Sequence, residues 1–245
     1  MDFKKWQDYA DALKNVFGLE QEPVAVSCLK DKQIDSGQGK VRICRAILDA
    51  GAGKSLKVSK QNNACFGASW HLGFKQIKDP QVIKMIKKFV VEGEKLFCSY
   101  EALDKLISQM EENPDNSTSC FILSPLSKIE HEPELVVIIC NPEQACRLLT
   151  FVTFFDGVMP KVKIGGPTCR MAIMYPLLSG EVNISFQDST ARKMCHMDKN
   201  LLFVSIPAKR IPQIVENTDK CSAGTAKIEF PPEFRQFLQQ RLAKS

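Results

Sequence analysis

The segment Leu135-Val136-Val137-Ile138-Ile139-Cys140-Asn141-Pro142-Glu143 decides the fold class. Its first six residues are all apolar, which predicts a strand that is covered on both faces of a sheet. Asn141 is a good helix cap, Pro142 suits the first helical position, and Glu143 places an acid in the first turn. A buried strand that runs directly into a capped helix predicts a layered fold of sheet and helices.

The same succession of strands and helices extends over the rest of the chain. Apolar spacing and turn residues predict helices at 2–17, 41–50, 80–92, 100–112, 141–155, 207–216 and 232–243, and strands at 23–28, 56–59, 120–126, 161–164, 182–186 and 201–206. This pattern predicts an α+β fold in which helices cover a mixed sheet. We expect one domain over residues 1–245, with two pseudo-related lobes at 1–118 and 119–245. The polar segments 30–40 and 111–119 are expected to form a turn and a surface connection.

Two similar segments begin with a cysteine, one in each half of the chain. They are Cys44-Arg45-Ala46-Ile47-Leu48 and Cys169-Arg170-Met171-Ala172-Ile173, and each runs on to a glycine, Gly53 or Gly180, before a predicted strand. This repetition predicts a site that is assembled between two related lobes. A chance likeness between two helix–strand units is the alternative, and the sequence leaves both open.

Composition and charge limit the classes of partner that this chain could have. Hydrophobic residues make up 44% and charged residues 25% of the 245 residues, as in ordinary globular proteins. The net charge of +5 is spread along the chain without interleaved aromatics, so we expect no nucleic-acid partner. The apolar runs are far shorter than the roughly 20 residues of a membrane span, and no secretory signal is visible. We therefore expect a cytoplasmic protein without a membrane partner.

The chain contains ten cysteines, whose thiols are its main candidates for metal binding or redox chemistry. In a reducing cytosol they should be thiols, and so high a thiol content suits an anaerobic source. Cys44, Cys65 and Cys169, with Cys195 or Asp188 as the fourth donor, could hold a soft metal or an iron–sulfur cluster. No C-x-x-C spacing occurs, so tertiary contacts would have to build such a site. The alternative is that these thiols are buried packing residues without a cofactor.

A second candidate site lies at the start of the Cys169 helix. Gly165, Gly166 and Thr168 offer backbone N–H groups there, and the helix dipole favours an anion or a thiolate. Arg170 and Arg192 could add positive charge. This arrangement predicts a site for an anionic small molecule, while a plain Gly-Pro turn with a capping threonine is the commoner meaning of the pattern.

These motifs together resemble those of the uncharacterised DUF family numbered 169, which is found mainly in archaea and anaerobic bacteria. The resemblance runs from about Val16 to Glu216. It rests on Pro23-Val24-Ala25-Val26, the Cys44 helix, Cys65-Phe66-Gly67, the strand and helix start at 135–145, and the turn at 165–169. Members often carry a further cysteine after the segment that matches 183–185, where this chain has Phe186-Gln187-Asp188. The resemblance implies a fold rather than an activity.

Three functions follow from this sequence. The first is an iron–sulfur or redox protein with an electron-transfer partner. The second is a non-catalytic module that binds an anionic small molecule, and the third is a cysteine-rich structural or interaction protein without a cofactor. Whether the chain is an enzyme, and in which oligomeric state it works, the sequence leaves open.

Overall fold

Six strands form one sheet in the computed structural model of the chain, which describes residues 3–29, 39–74, 78–110 and 118–242. The strands are β1 (Val24–Leu29), β2 (Leu56–Ser59), β3 (Cys120–Pro125), β4 (Leu135–Cys140), β5 (Asn183–Ser185) and β6 (Leu202–Pro207). Their order across the sheet is β2-β3-β1-β4-β6-β5. All pairings between these strands are antiparallel, where the sequence predicted a mixed sheet. One isolated parallel bridge joins Val41 to Asn63.

Helices cover both faces of this sheet, which confirms the α+β fold class. They are α1 (Phe3–Phe17), α2 (Ile43–Gly51), α3 (Phe66–His71), α4 (Pro80–Lys88), α5 (Tyr100–Ile107), α6 (Pro142–Phe154), α7 (Tyr175–Ser179), α8 (Ser189–Cys195), α9 (Ile211–Val215) and α10 (Pro232–Leu242). Short 3-10 turns lie at Leu126–Lys128 and Ala208–Arg210, and π-helical turns at Phe89–Gly93 and Arg170–Met174. Among the described residues, no helix is long and apolar enough to cross a membrane.

The sheet separates two apolar core layers, and strand β4 contributes side chains to both of them. Val136, Ile138 and Cys140 pack with α1, α6 and α9 on one face of the sheet. The alternate residues, Leu135 and Val137 among them, pack with α2, α3 and the Cys169 segment on the other face. All six residues of β4 are buried, as the continuous apolar run predicted for a strand that is covered on both faces.

The predicted helix start at Asn141 is confirmed in detail. The Asn141 side chain accepts a hydrogen bond from the backbone N–H of Gln144, and the Gln144 side chain accepts one from the backbone N–H of Asn141, each at 2.9 Å. Pro142 occupies the first helical position. This reciprocal arrangement is a capping box, which fixes the direction in which α6 leaves β4.

The strand order is symmetric about the middle of the sheet. Each half consists of an inner strand, an edge strand that follows a helix, and a third strand inserted between them: β1, β2 and β3 in one half, β4, β5 and β6 in the other. The cysteine-bearing segments take matching places, because α2 precedes the edge strand β2 and the segment from Cys169 precedes the edge strand β5. The order groups β3 with the first half, so the proposed lobe division at 118 stays a prediction.

The predicted strand at 161–164 is absent, and its backbone is satisfied in another way. The Lys163 N–H donates to the Asn183 side chain, whose own amide donates back to the Lys163 carbonyl. The Lys161 carbonyl accepts from the Tyr175 hydroxyl. These side-chain contacts replace the ladder that a strand would need. Most of the segments 30–40 and 111–119 lies outside the described residues.

Candidate thiol site

The candidate site lies on the sheet face that α2 and the Cys169 segment share. Cys44 is the second residue of α2, and Cys169 directly precedes the π-helical turn Arg170–Met174. Both cysteines are buried, with 8% and 7% of their surface exposed. The apolar residues around them, such as Ile43 and Ala172, belong to one core cluster, so the two matching segments of the chain meet in space.

Cys44 is in contact with Cys195, the last residue of α8. The two sulfurs lie 3.3 Å apart and are hydrogen-bonded. Cys195 is 1% exposed, and the pair packs with Ala191 and the half-buried Leu48. Arg45 fastens the two helices together, because its Nη1 donates to the Cys195 carbonyl at 3.3 Å.

The two thiols of this pair ionise unequally. The hydrogen bond to Cys195 and burial both raise the pKa of Cys44. The hydrogen bond between the two thiols lowers the pKa of Cys195, the charges of Arg45 and Arg42 lower it further, and burial opposes this lowering. These opposite directions favour the thiolate form at Cys195 over the thiolate form at Cys44.

Cys169 and Cys65 complete the thiol cluster. Burial raises the pKa of Cys169 well above its ordinary value, and electrostatic interactions with Cys65, Asp188 and Cys44 raise it further. Cys65 is half-buried and is the N-cap residue of α3. The structure thus brings Cys44 and Cys195 into contact and places Cys169 within electrostatic reach of both Cys44 and Cys65.

Asp188 lies next to the thiols but binds within the protein. One carboxylate oxygen accepts from the Ala191 N–H at 2.7 Å and so caps α8. The other accepts from the N–H and the hydroxyl of Thr168 at 3.1 and 2.9 Å. The N–H group of Thr168, which the sequence offered to an anion, therefore binds the chain's own carboxylate. Gly165 has a positive φ of 85° in the turn before it.

The remaining predicted anion-binding residues have different surroundings. A Cβ on Gly166 would lie 3.1 Å from the Met171 side chain, so this glycine allows close packing. Arg192 donates from Nη1 to the carbonyls of Phe186 and Leu201 and from Nη2 to that of Asp198. Its guanidinium ties the ends of α8 to the following loop.

A buried histidine was missed as part of this site. His71 ends α3, and burial lowers its pKa to about 4, with a further lowering by the charge of Arg170 that Asp188 opposes. Arg170, which the sequence offered to an anion, is itself 2% exposed. The sequence signal for His71 was its position in the helix that Cys65 caps.

The thiols of the site are of the type that binds a soft metal, but their positions do not let them hold one together. Four thiols are the ligands that iron–sulfur clusters use. Among the residues that the structure describes, however, no three His, Cys, Asp or Glu side chains are placed to hold one metal ion. Both carboxylate oxygens of Asp188 also accept hydrogen bonds, one from Thr168 and the other from Ala191. As folded, these residues do not fit a metal centre.

Comparison with known proteins places the chain in a family. No curated protein and no solved structure matches it significantly. The model of the family DUF169, described as "Uncharacterised ArCR", matches residues 12–217 of the 245-residue chain. This range includes all the thiols of the site, both cysteine-bearing segments and the whole sheet. The chain therefore belongs to the DUF169 family of uncharacterised ArCR proteins.

Proposed function

We propose that this chain is a thiol redox protein in which Cys44 and Cys195 alternate between a dithiol and a disulfide. The observation that carries the proposal is the 3.3 Å separation of their sulfurs. An S–S bond is about 2.05 Å long, so the sulfurs need to approach by little more than 1 Å. The two cysteines come from α2 and α8, which different halves of the sheet position.

The opposite pKa shifts of the two thiols support different roles for Cys195 and Cys44 in the reaction. The thiolate is the nucleophile in thiol chemistry, and the lowered pKa assigns that role to Cys195. Cys44, whose pKa is raised, stays protonated and follows in the second step. Arg42 and Arg45 stabilise the Cys195 thiolate through their charge.

A small hydroperoxide suits a pair so deeply buried. The Cys195 thiolate attacks the terminal oxygen, the O–O bond breaks, and the alcohol leaves after taking a proton. The sulfur of Cys44 then attacks the sulfenic acid on Cys195, and hydroxide leaves as water with the Cys44 proton. Two thiols lose two electrons, and one hydroperoxide becomes alcohol and water. A dithiol reductant restores the pair by exchange.

Peptide mapping after oxidation tests the proposal. Reduced protein is treated with a small excess of hydrogen peroxide, trapped with acid and digested without reductant. We expect a disulfide between Cys44 and Cys195, and two fewer titratable thiols. Cys44→Ser and Cys195→Ser should each abolish that product, while Cys146→Ser, at an exposed cysteine, should leave it unchanged. Both cysteines remaining free while others oxidise would refute the proposal.

An iron–sulfur cluster is the second version of this redox function. The gathering of Cys44, Cys65, Cys169 and Cys195 in one region favours it, but the side chains would have to reorient so that three thiolates face a common point. Reconstitution with iron and sulfide under anaerobic conditions, followed by metal and sulfide analysis, separates the two versions. Bound iron that each of the four Cys→Ser changes removes would support the cluster. Iron-free protein that still forms the disulfide supports the dithiol.

A further inference from the structure

Helix α10 presents an apolar stripe to solvent. Every residue of this helix is exposed. Phe234, Phe237 and Leu238 follow the spacing i, i+3 and i+4, which places them on one side of the helix, and Phe230 lies just before its first residue. The rings of Phe230 and Phe234 stack at 5.8 Å, and those of Phe234 and Phe237 at 6.2 Å. Such an exposed apolar stripe marks a contact surface.

An apolar groove lies elsewhere on the same chain, between α6 and the edge strand β5. It has a volume of about 500 Å³. Its walls include Cys146 and Leu149 from α6, and Ile184 and Phe186 from β5 and the residue after it. Phe186 is 51% exposed. The groove is open to solvent, so an apolar partner can enter it.

We propose that α10 of one copy of this chain binds in the α6–β5 groove of a second copy, so that two chains exchange their C-terminal helices. Each copy offers one stripe and one groove, and a two-fold axis lets both helices dock at once. Both stripes and both grooves are then occupied, and the assembly closes as a dimer.

The point where the C-terminal segment leaves the body favours a second copy over the chain's own groove. Arg147 donates to the Ala223 carbonyl at 2.7 Å, and a Cβ on Gly224 would meet the Phe151 ring at 2.9 Å. The segment therefore departs from the side of α6 that carries Arg147 and Phe151. At 3.6 residues per turn, Cys146 and Leu149 point away from that side.

The area lies at the lower limit for a specific dimer. Phe230, Phe234 and Phe237 are each close to half exposed. An aromatic side chain buries 150–250 Å² when fully covered, so each of these half-covered rings adds about half of that. Two stripes with the groove surface that they cover bury on the order of 1,000 Å², the least that a specific interface needs.

Light scattering of the full chain at about 50 μM measures the assembly. We expect twice the 27.5 kDa mass of one chain. Phe234→Ser with Phe237→Ser on the helix, or Phe186→Ser in the groove, should each weaken the dimer at least tenfold. Because these side chains are exposed, circular dichroism should show the fold unchanged. A mixture of the helix and groove variants should form a heterodimer through its one intact contact. Wild-type protein that stays monomeric would overturn the proposal.

A cross-link identifies the occupant, since Cys146 already lies in the groove. Leu238→Cys, oxidised with copper phenanthroline, should give a covalent dimer joined between residues 146 and 238. Gln236→Cys, on the other side of α10, and Leu238→Cys combined with Cys146→Ser are the controls that should not. The same link found within one chain would show that α10 closes on its own body and would refute the exchange. A dimer that none of these variants affects would refute the surface.

Discussion

Cys65 and Asp188 occupy matching positions in the two halves of the sheet. Cys65 is the N-cap of α3, the first helix after the edge strand β2. Asp188 is the N-cap of α8, the first helix after the opposite edge strand β5. With Cys44 and Cys169 as the other matched pair, the site is built on an approximate two-fold relation. Where symmetry would put a fourth thiol, this chain has a carboxylate that caps a helix, and Cys195 at the far end of that helix lies in contact with Cys44.

Replacing Asp188 by Asn tests how this carboxylate controls the thiols. Its negative charge raises the pKa values of Cys44, Cys169 and Cys195. Asn remains a good N-cap but is neutral, so Asp188→Asn should lower these pKa values and speed the alkylation of Cys195 several-fold at pH 8. Mass spectrometry after timed iodoacetamide labelling measures the rate. Asp198→Asn, at an exposed acid, is the control, and an unchanged or slower rate in Asp188→Asn contradicts the assignment.

Replacing Arg45 by Gln should have the opposite effect. The guanidinium lowers the pKa of Cys195, so its removal raises that pKa and shifts the pH profile of Cys195 alkylation upwards. The shift is modest, because the Arg45 side chain is about half exposed and its charge is screened. Lys54→Gln removes another cation that binds Asp49 and should leave the profile in place. A profile that does not move in Arg45→Gln would show that the charge of Arg45 does not contribute to the pKa of Cys195.

Much of the secondary structure could be predicted from local pattern. The bounds of β2 and β4 agree with the predicted 56–59 and 135–140, because both strands have clear turn residues or caps at their ends. Asn141 was predictable for the same reason, since a capping box lies within four residues of sequence. Strand direction was not, because the neighbours of a strand in the sheet come from distant parts of the chain.

Part of the candidate site could be predicted from local sequence, and part could not. The repeated Cys-Arg start of two segments pointed to a meeting of Cys44 and Cys169, and the chain pattern after β5 contained the signal for α8, an Asp followed by Ser-Thr-Ala. The contact between Cys44 and Cys195 is tertiary, and no spacing encodes it. The burial of Arg170 and His71 likewise follows from packing between halves rather than from either local sequence.

Asn141→Ala should lower the free energy of unfolding by about 1 kcal/mol. The change removes the acceptor for the Gln144 N–H and half of the capping box. Urea unfolding measures the loss. Thr150→Ala, at an exposed position inside the same helix, is the matched control and should change stability by a few tenths of that value at most. The yield of the Cys44–Cys195 disulfide should be equal in both variants, and full stability in Asn141→Ala would show that the box contributes nothing.

His71 should make the stability of the protein fall in mild acid. Its pKa is lowered to about 4 in the fold by burial and by Arg170, against about 6.5 in an unfolded chain. Between these values the unfolded state binds the extra proton, so the free energy of unfolding decreases as the pH falls from 6.5 towards 4 and is constant above 6.5. From pH 7 to pH 5 the loss due to His71 is on the order of 2 kcal/mol.

Urea unfolding at pH 7 and at pH 5 measures this loss. In His71→Gln, the difference in the free energy of unfolding between the two pH values should be smaller than in the wild type by that amount. His131→Gln, at a half-exposed histidine, should keep the wild-type difference. Equal pH dependence in all three proteins would mean that His71 is protonated in the fold as readily as in the unfolded chain.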